Sequence, residues 1–281
     1  QPLGEVRELG RVIFEQISEV APSIVIFHEA NDRDLKTYPE LKELAGAIAG
    51  DRDADTPEEI GPEVRLVEWT EDADTIVAAS LLHTSSSQSY GKCKAIVKSL
   101  PPDEKKKIFQ AATRHMQFYD SMLREFEYVN LTFNVILSSA CFGQLKRHRM
   151  ATLTSQAYDP GLGITVPEAI REIGEEKNFR AIAERTNEAY EVLSKDFPTV
   201  APYVLTNSHR KRVLIRLNAR ELYHLSRLRE DAHAQWDIQN VARAMVAEAK
   251  KVIPLAGALL GGKDRYKGIY KGVFGEFPKV M

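Results

Sequence analysis

The segment RLNARELYHLSRLREDAHAQWD (residues 216–237) has the apolar and polar spacing of an amphipathic helix. Leu222, Leu225 and Leu228 mark an apolar side, while Arg220 and His224, four residues apart, share another face. One interpretation is a solvated helix surface above a leucine core. The other is a ligand site, because an arginine fork matches phosphate or carboxylate oxygens and an imidazole can stack on a flat ring.

A second polar segment, LKRHRMATLTSQAYD (residues 145–159), places cations directly before hydroxyl and amide side chains. Lysine, arginine and histidine occupy positions 146–149, and threonine, serine and glutamine follow at 152–156. This combination suits an anion, most simply a phosphate. A solvated helix end would show a similar composition, so the segment alone leaves both interpretations open.

The segments around these two blocks predict an α+β fold that is rich in helices and has few strands. Strands are predicted at VRLVEW (64–69) and at YVNLTFNVIL (128–137), where apolar and polar residues alternate. Helical spacing predicts helices at 5–21, 72–83, 178–197 and 218–252, and a short helix near 39–49 within a polar linker at 31–63.

Two of these helices carry predicted core faces. A helix that starts at Pro101–Asp103 is predicted to continue through Met116 and Tyr119 to Met122. In the helix at 178–197 the side chains predicted to point inward are Phe179, Ile182, Ala189, Tyr190, Leu193 and Phe197. The segment at 159–170 is predicted to be a loop.

Composition excludes several classes of function. The 281 residues are 43% hydrophobic, and 38 Lys plus Arg against 40 Asp plus Glu give a net charge of −2. That balance provides no general attraction to nucleic acid or to an anionic membrane, and the apolar runs are too short to span a bilayer. The two cysteines, Cys93 and Cys141, are too few for a disulfide framework and lack zinc spacing, which favours a cytoplasmic protein.

An internal repeat links the two ends of the chain. If Pro22 is placed on Pro254, an offset of 232, Arg11 falls on Arg243 and the apolar positions of the two helices coincide. Two unrelated amphipathic helices that end at proline would look much the same. The alternative is that residues 1–62 are a helix and linker that form the tail of a preceding domain copy, followed by a domain at 63–281.

The two polar blocks resemble the motifs of the flavin-dependent thymidylate synthases (ThyX type). RHRMATLTSQAYD resembles the signature RHRxxSxxxxSxR, and NARELYHLSRLREDAHAQWDI is similar to a second family block, NAR…LRxDxHAQWEI. The resemblance extends from about Val64 to Ile253. It implies a mixed sheet flanked by helices, a homotetramer with active sites between subunits, and reductive methylation of dUMP with methylenetetrahydrofolate, FAD and NADPH.

Matching motif positions imply specific roles for residues in the two blocks. The positions that hold FAD in the family are Arg147, His148, Arg149, Asn218, Arg220 and His224. The positions that contact the nucleotide are Gln144, Thr152, Ser155, Arg212 and Arg229, and Arg229 is also the position with a catalytic role. No metal site is expected.

The nucleotide part of the signature departs from the family pattern. The second motif serine is Ala157, and the final motif arginine is Asp159, followed by Pro160. Ser155 replaces an acidic residue, and Tyr128 replaces a histidine of the strand motif. An aspartate in place of an arginine removes a charge-assisted hydrogen bond of ~1.5–3 kcal/mol and adds repulsion.

These features leave four possible functions. The chain could be an active flavin-dependent thymidylate synthase that binds a dUMP-like nucleotide, or a non-catalytic ThyX-like domain that binds flavin or completes a site in a tandem protein. Asp159 also permits a flavoprotein with another substrate. A nucleic-acid binder is disfavoured by the negative net charge.

Overall fold

The computed structural model describes residues 3–25, 28–49 and 63–279. In chain order the elements are α1 (Gly4–Val20), α2 (Asp32–Ala49), β1 (Val64–Trp69), α3 (Ala73–Thr84), α4 (Tyr90–Ser99), α5 (Pro102–Thr113), β2 (Asn130–Ser138), α6 (Ser139–Leu145), β3 (Thr152–Ser155), α7 (Glu168–Glu172), α8 (Glu176–Asp196), β4 (Arg210–Asn218), α9 (Ala219–Arg229), α10 (Trp236–Val252) and α11 (Tyr266–Phe274).

The chain forms two compact units. One contains residues 1–60 and 184–205, and the other contains residues 61–183 and 206–281. The larger unit holds the sheet and both polar blocks. None of the helices within the described residues is long and apolar enough to cross a membrane.

The sheet has four strands in the order β1-β2-β4-β3. β2 and β4 pair along nine residues, from Asn130 opposite Asn218 to Ser138 opposite Arg210. All pairings among the described strands are antiparallel. The predicted helix-rich α+β class is confirmed, but the mixed sheet that the resemblance implied is replaced by an antiparallel one.

The core lies on one face of this sheet. The alternating apolar side chains of the predicted strand at 128–137 are all 0–1% exposed: Val129, Leu131, Phe133, Val135 and Leu137. Helices α9 and α10 cover them with Leu222, Leu225, Ile238 and Met245, each 0% exposed. The period-two alternation therefore identified the buried face correctly.

Several sequence predictions differ from the structure. Helix α5 ends at Thr113 rather than continuing to Met122. The segment after Thr113 makes hydrogen bonds to a distant part of the chain instead. The hydroxyls of Tyr266 and Tyr270 donate to the carbonyls of Met116 and Arg114. The predicted short helix near 39–49 begins earlier, at Asp32, and the remainder of the predicted linker, residues 50–62, lies outside the described residues.

The predicted inward face of α8 is wrong in part. Its buried residue is Ala183, whereas Ile182 is 49% exposed and Phe197 is 58% exposed. Helical spacing identified the apolar stripe, but the described residues bury this stripe only in part. Strands β3 and β4 and helices α4 and α11 were not predicted.

Asp74, in the first turn of α3, supports the chain that follows α10. Its carboxylate accepts the backbone N–H groups of Leu255 and Ala256 at 3.0 and 2.8 Å. Burial raises the pKa of Asp74, and these two bonds oppose that rise. We expect Asp74→Ala to lower the free energy of unfolding by about 1–3 kcal/mol, because two amides lose their acceptor.

Chemical denaturation of Asp74→Ala and Asp74→Asn measures this effect. Asparagine keeps one acceptor oxygen, so its loss should be smaller than that of alanine. Equal stability of Asp74→Ala and the parent chain would show that these bonds contribute nothing.

Candidate functional site

The two polar blocks meet where α6 and α9 end. α6 begins after β2, where the Ser138 hydroxyl caps it by accepting the N–H of Cys141 at 3.0 Å. α9 begins after β4, where the Asn218 side chain accepts the N–H of Glu221 at 2.8 Å. These caps fix the direction of each helix, and the last turns bring Gln144 of α6 beside Arg229 of α9.

His148 is the centre of this meeting point. Its ring is 5% exposed and lies between Glu221 and Arg229. The Nδ1 atom is 3.0 Å from Glu221 Oε1, and the Nε2 atom is 3.1 Å from Arg229 Nε. Arginine can only donate, so Nε2 accepts and the proton resides on Nδ1, where it is donated to Glu221. The two neighbours therefore select one neutral tautomer of His148.

Arg229 joins the two blocks through three donors. Besides Nε, Nη1 donates to Gln144 Oε1 at 3.0 Å and Nη2 to the Gln144 carbonyl at 3.3 Å. Burial lowers the pKa of Arg229, and the nearby charge of Arg147 lowers it further. The guanidinium nevertheless stays charged. Because its acceptors on His148 and Gln144 are neutral, the positive charge is available to an anion.

An open cavity of about 460 Å³ lies beside this cluster. Its walls include Arg220, Glu221 and His224 of α9 and the aromatic pair Phe118 and Tyr119. The His224 ring is exposed and meets the His148 ring edge-on, with 5.8 Å between the ring centroids. The cavity thus combines apolar ring surfaces with a cationic rim, as a flat ring with a charged tail would require.

Two of the residues implied as flavin contacts are engaged by the protein itself. Arg220 donates to the Met122 carbonyl at 2.7 Å and to Glu127 at 2.9 Å. Asn218 uses its side-chain oxygen as the cap of α9. Both still lie beside the cluster, so each can also orient its neighbours.

The remaining residues of the first block lie towards the surface. Arg147 and Arg149 are exposed on either side of buried His148. Thr152 and Ser155 are exposed on the edge strand β3, and Arg212 lies half-buried on the adjacent strand β4. Of the predicted nucleotide contacts, Gln144 and Arg229 therefore lie together with His148. Thr152 and Ser155 lie apart from them on β3.

Asp159, the residue that departs most from the family motif, has a local structural role. Its Oδ1 accepts the N–H of Gly161 at 2.9 Å and caps a 3₁₀ turn at Pro160–Leu162. Aspartate is well suited to this position, and Pro160 fits the first residue of the turn. The two departures at 159 and 160 therefore form one turn.

Two functional candidates were not predicted. Glu221 holds His148, and its sequence signal was the N-x-x-E spacing after Asn218 that is typical of a helix start. Lys211 is 9% exposed, and its ammonium lies 4.9 Å from the centre of the Phe142 ring and 4.4 Å from that of Tyr158. Only the alternation of cationic and apolar residues along β4 could have indicated that it points inward.

Ligand atoms of His148, Glu221 and His224 also lie within 4.8 Å of one another, the spacing of a possible metal site. Both ring nitrogens of His148 are already hydrogen-bonded, and one of them to a cation. The arrangement therefore favours an anionic ligand over a metal ion.

Comparison with known proteins agrees with this geometry. Residues 65–255 match the family described as thymidylate synthase complementing protein. The chain belongs to this family. The matched range contains both polar blocks and every residue of the cluster, which confirms the resemblance seen in the sequence.

Two relatives show how the matched region compares with other proteins, one of which is much longer than this chain. A UPF0159 protein from Chlamydia pneumoniae is 26% identical over 259 residues, which are 90% of this chain but 49% of that protein. A flavin-dependent thymidylate synthase from Sulfolobus acidocaldarius is 30% identical over 199 residues, 68% of this chain and 74% of that protein. The chain spans about half the length of the first relatives it matches.

A solved structure shares the fold. A UMP/dUMP methylase from Streptomyces cacaoi, bound with 5-Br dUMP, aligns with a TM-score of 0.55 and 20% identity over 69% of this chain and 92% of that chain. At this identity the likeness concerns the fold. The helix-rich α+β fold of this chain is therefore found in a solved structure as well.

Proposed function

We propose that this chain is a flavin-dependent thymidylate synthase that methylates dUMP to dTMP, with methylenetetrahydrofolate as carbon donor, FAD as cofactor and NADPH as reductant. The observation that carries the proposal is the cluster of Gln144, His148 and Arg229. It joins both family blocks and presents a half-buried guanidinium whose acceptors are neutral. Membership in the family supports the proposed reaction class.

The residues on this surface suit both ligands. Arg229 and Gln144 would hold the nucleotide, because a guanidinium fork and an amide match its phosphate or pyrimidine oxygens. Arg147, Arg149 and His224 would hold FAD, with the cations near its phosphates and the imidazole near its ring system. When bound and reduced, FAD would supply the hydride that converts the transferred methylene group into a methyl group.

The exposed positions also suit an oligomer. Arg147, Arg149, Thr152 and Ser155 lie open to solvent in the single chain. A homo-oligomer, a tetramer as in the family resemblance, would let a neighbouring chain close the site over these side chains.

The proposed function also includes a location and a choice of partners: a cytoplasmic protein that binds neither nucleic acid nor membranes.

A single-turnover assay tests the proposal. Purified chain is mixed with dUMP, methylenetetrahydrofolate, FAD and NADPH, and dTMP is separated by chromatography. We expect dTMP only when all four compounds are present. Flavin reduction without dTMP, under conditions where dUMP binds, would contradict the proposal.

The second candidate function is a ThyX-like domain that binds flavin without methylating dUMP, or that completes a site in a tandem protein. Two observations favour it: Ala157 lacks the motif hydroxyl, and Asp159 brings a negative charge where the family has a positive one. In this case the assay would yield no dTMP, although the chain would still bind FAD.

Asp159 gives a specific prediction for the first function. Asp159→Asn keeps a good capping residue but removes the negative charge that stands where the family motif has an arginine. We expect dUMP affinity to increase about 2–5-fold, corresponding to roughly 0.5–1 kcal/mol for one solvent-screened charge. Isothermal titration calorimetry at low and high salt measures the gain, which should shrink as salt increases.

A matched control is Glu168→Gln, an exposed carboxylate on α7 that pairs with Arg171. It should leave dUMP affinity unchanged. If Asp159→Asn also has no effect on affinity at low salt, the Asp159 carboxylate does not oppose the nucleotide.

A further inference from the structure

Helices α1 and α10 correspond position by position. Each has 17 residues, and the offset of 232 that aligns Pro22 with Pro254 also carries the bounds of α1 (Gly4–Val20) onto those of α10 (Trp236–Val252). The aligned prolines already account for the matching C-terminal ends, because a helix usually ends just before a proline. The coincidence of the N-terminal bounds, Gly4 with Trp236, is a separate observation.

The two helices also end in the same way. Ala21 has φ −145° and ψ 66°, and Ile253 has φ −127° and ψ 56°. In each case the N–H group donates to the carbonyl four residues earlier, at Ile17 or Ala249, and a proline follows. The correspondence thus includes the C-terminal geometry as well as the helix length.

The surroundings of the two apolar faces differ. In α10 the residues Ile238, Val241, Ala242, Met245, Val246 and Ala249 are at most 6% exposed. This face packs on the α10-binding surface, which we define as the surface formed by β1, β2, α6 and α9. The aligned residues of α1 are apolar too, yet Leu9 is 58% and Ile13 48% exposed. Among the described residues, α1 therefore has an apolar face like that of α10, but most of its aligned side chains are exposed.

We infer that α1 is the α10 of a second ThyX-type domain, and that its apolar face packs on the α10-binding surface of that domain. The relatives in which this chain spans about half the length have room for such a domain. In this chain the equivalent surface is occupied by α10 itself. The partner is consequently a second domain copy. It has its own sheet, and residues 4–20 of this chain take the place of α10 on that sheet.

Polar residues of α1 agree with this partner. Glu5 aligns with Asp237, whose carboxylate accepts the Ser138 hydroxyl at the rim of the α10-binding surface, and Arg11 aligns with Arg243. The helix also carries Glu8, Glu15 and Glu19 around its apolar face. These carboxylates disfavour an anionic membrane as the partner.

A helix graft tests the inference in the complete chain. Residues 236–252 are replaced by the sequence of residues 4–20, with all other residues retained. Phe14 and Ile17 are larger than Val246 and Ala249, so a second graft carries Phe14→Val and Ile17→Ala to avoid overpacking. In the control graft, the transplanted α1 sequence carries Leu9→Glu and Ile13→Glu. These two residues replace buried Val241 and Met245, so they place two charges on the buried face.

We expect at least one of the first two grafts to unfold cooperatively, with a thermal midpoint about 10 °C or more above that of the control graft. If both grafts unfold like the control graft, the face of α1 does not fit an α10-binding surface, and the inference is wrong. Circular dichroism follows each transition, so the result does not depend on activity or on the proposed reaction.

A pair of single substitutions in the unaltered chain provides the second measurement. Met245→Glu should abolish the cooperative transition, whereas Ile13→Glu at the aligned position of α1 should leave the midpoint unchanged. A loss on Ile13→Glu as large as that on Met245→Glu would show that α1 is already covered within this chain, which would also overturn the inference.

Discussion

Arg229→Lys is expected to weaken dUMP binding by about 10–150-fold. Arginine contacts Gln144 and His148 through three separate nitrogens, and a lysine ammonium cannot reproduce this planar fork. The expected loss corresponds to one charge-assisted hydrogen bond of ~1.5–3 kcal/mol. Because lysine keeps the positive charge, the loss reports geometry rather than electrostatic attraction alone.

Calorimetric titration with dUMP measures this effect, and Arg243→Lys is the matched control. Arg243 is an exposed arginine on α10 that donates to Gln239. It should bind dUMP like the parent chain. If Arg229→Lys binds dUMP as tightly as Arg243→Lys does, Arg229 is not a nucleotide contact.

Glu221→Leu is expected to have the second-largest effect. Leucine is close to glutamate in size, but it leaves the Nδ1–H group of buried His148 without its acceptor. We expect the free energy of unfolding to fall by about 1–3 kcal/mol. The imidazole is then free to change tautomer, and with Nε2 protonated it could no longer accept from Arg229, so dUMP affinity should fall as well.

Glu221→Gln is the control for this change, since the glutamine oxygen can still accept from Nδ1–H. It should retain most of the stability and most of the dUMP affinity. Nitrogen-15 NMR of the His148 ring reports the tautomer directly, with the proton on Nδ1 in the parent chain and in Glu221→Gln. A parent chain with the proton on Nε2 would contradict the hydrogen-bond assignment.

The sequence predicted the cluster only in part, for a physical reason. Gln144, His148 and Arg229 were identified because each lies in a block whose residue types suit an anion. Glu221 was missed because a carboxylate among cations looks repulsive to an anionic ligand, and its contact with His148 joins positions 73 residues apart. Long-range pairs of this kind leave no local pattern.

Local patterns also set the limits of the fold prediction. The strand at 128–137 was predicted because its alternation continues over its whole length, and its apolar side is buried. β4 was missed because four of its nine residues are cationic, and Lys211 points into the protein between two rings. The end of α5 was misplaced because the hydroxyls of Tyr266 and Tyr270, distant in sequence, bind the carbonyls that follow it.

Asp159 shows how a motif departure can have a structural cause. From the sequence, it was a charge reversal beside a phosphate. In the structure its carboxylate caps the turn at Pro160–Leu162. The cap accounts for the residue type, while its effect on nucleotide binding remains a separate prediction, tested by Asp159→Asn.

The most direct test of the central claim is the visible absorbance spectrum of the chain with FAD, recorded during titration with dUMP. The proposed function predicts that FAD binds and that dUMP shifts the flavin band, with saturation in the parent chain and a much weaker response in Arg229→Lys. A bound flavin whose band ignores dUMP in both proteins would contradict a shared site for nucleotide and flavin at the cluster of Gln144, His148 and Arg229.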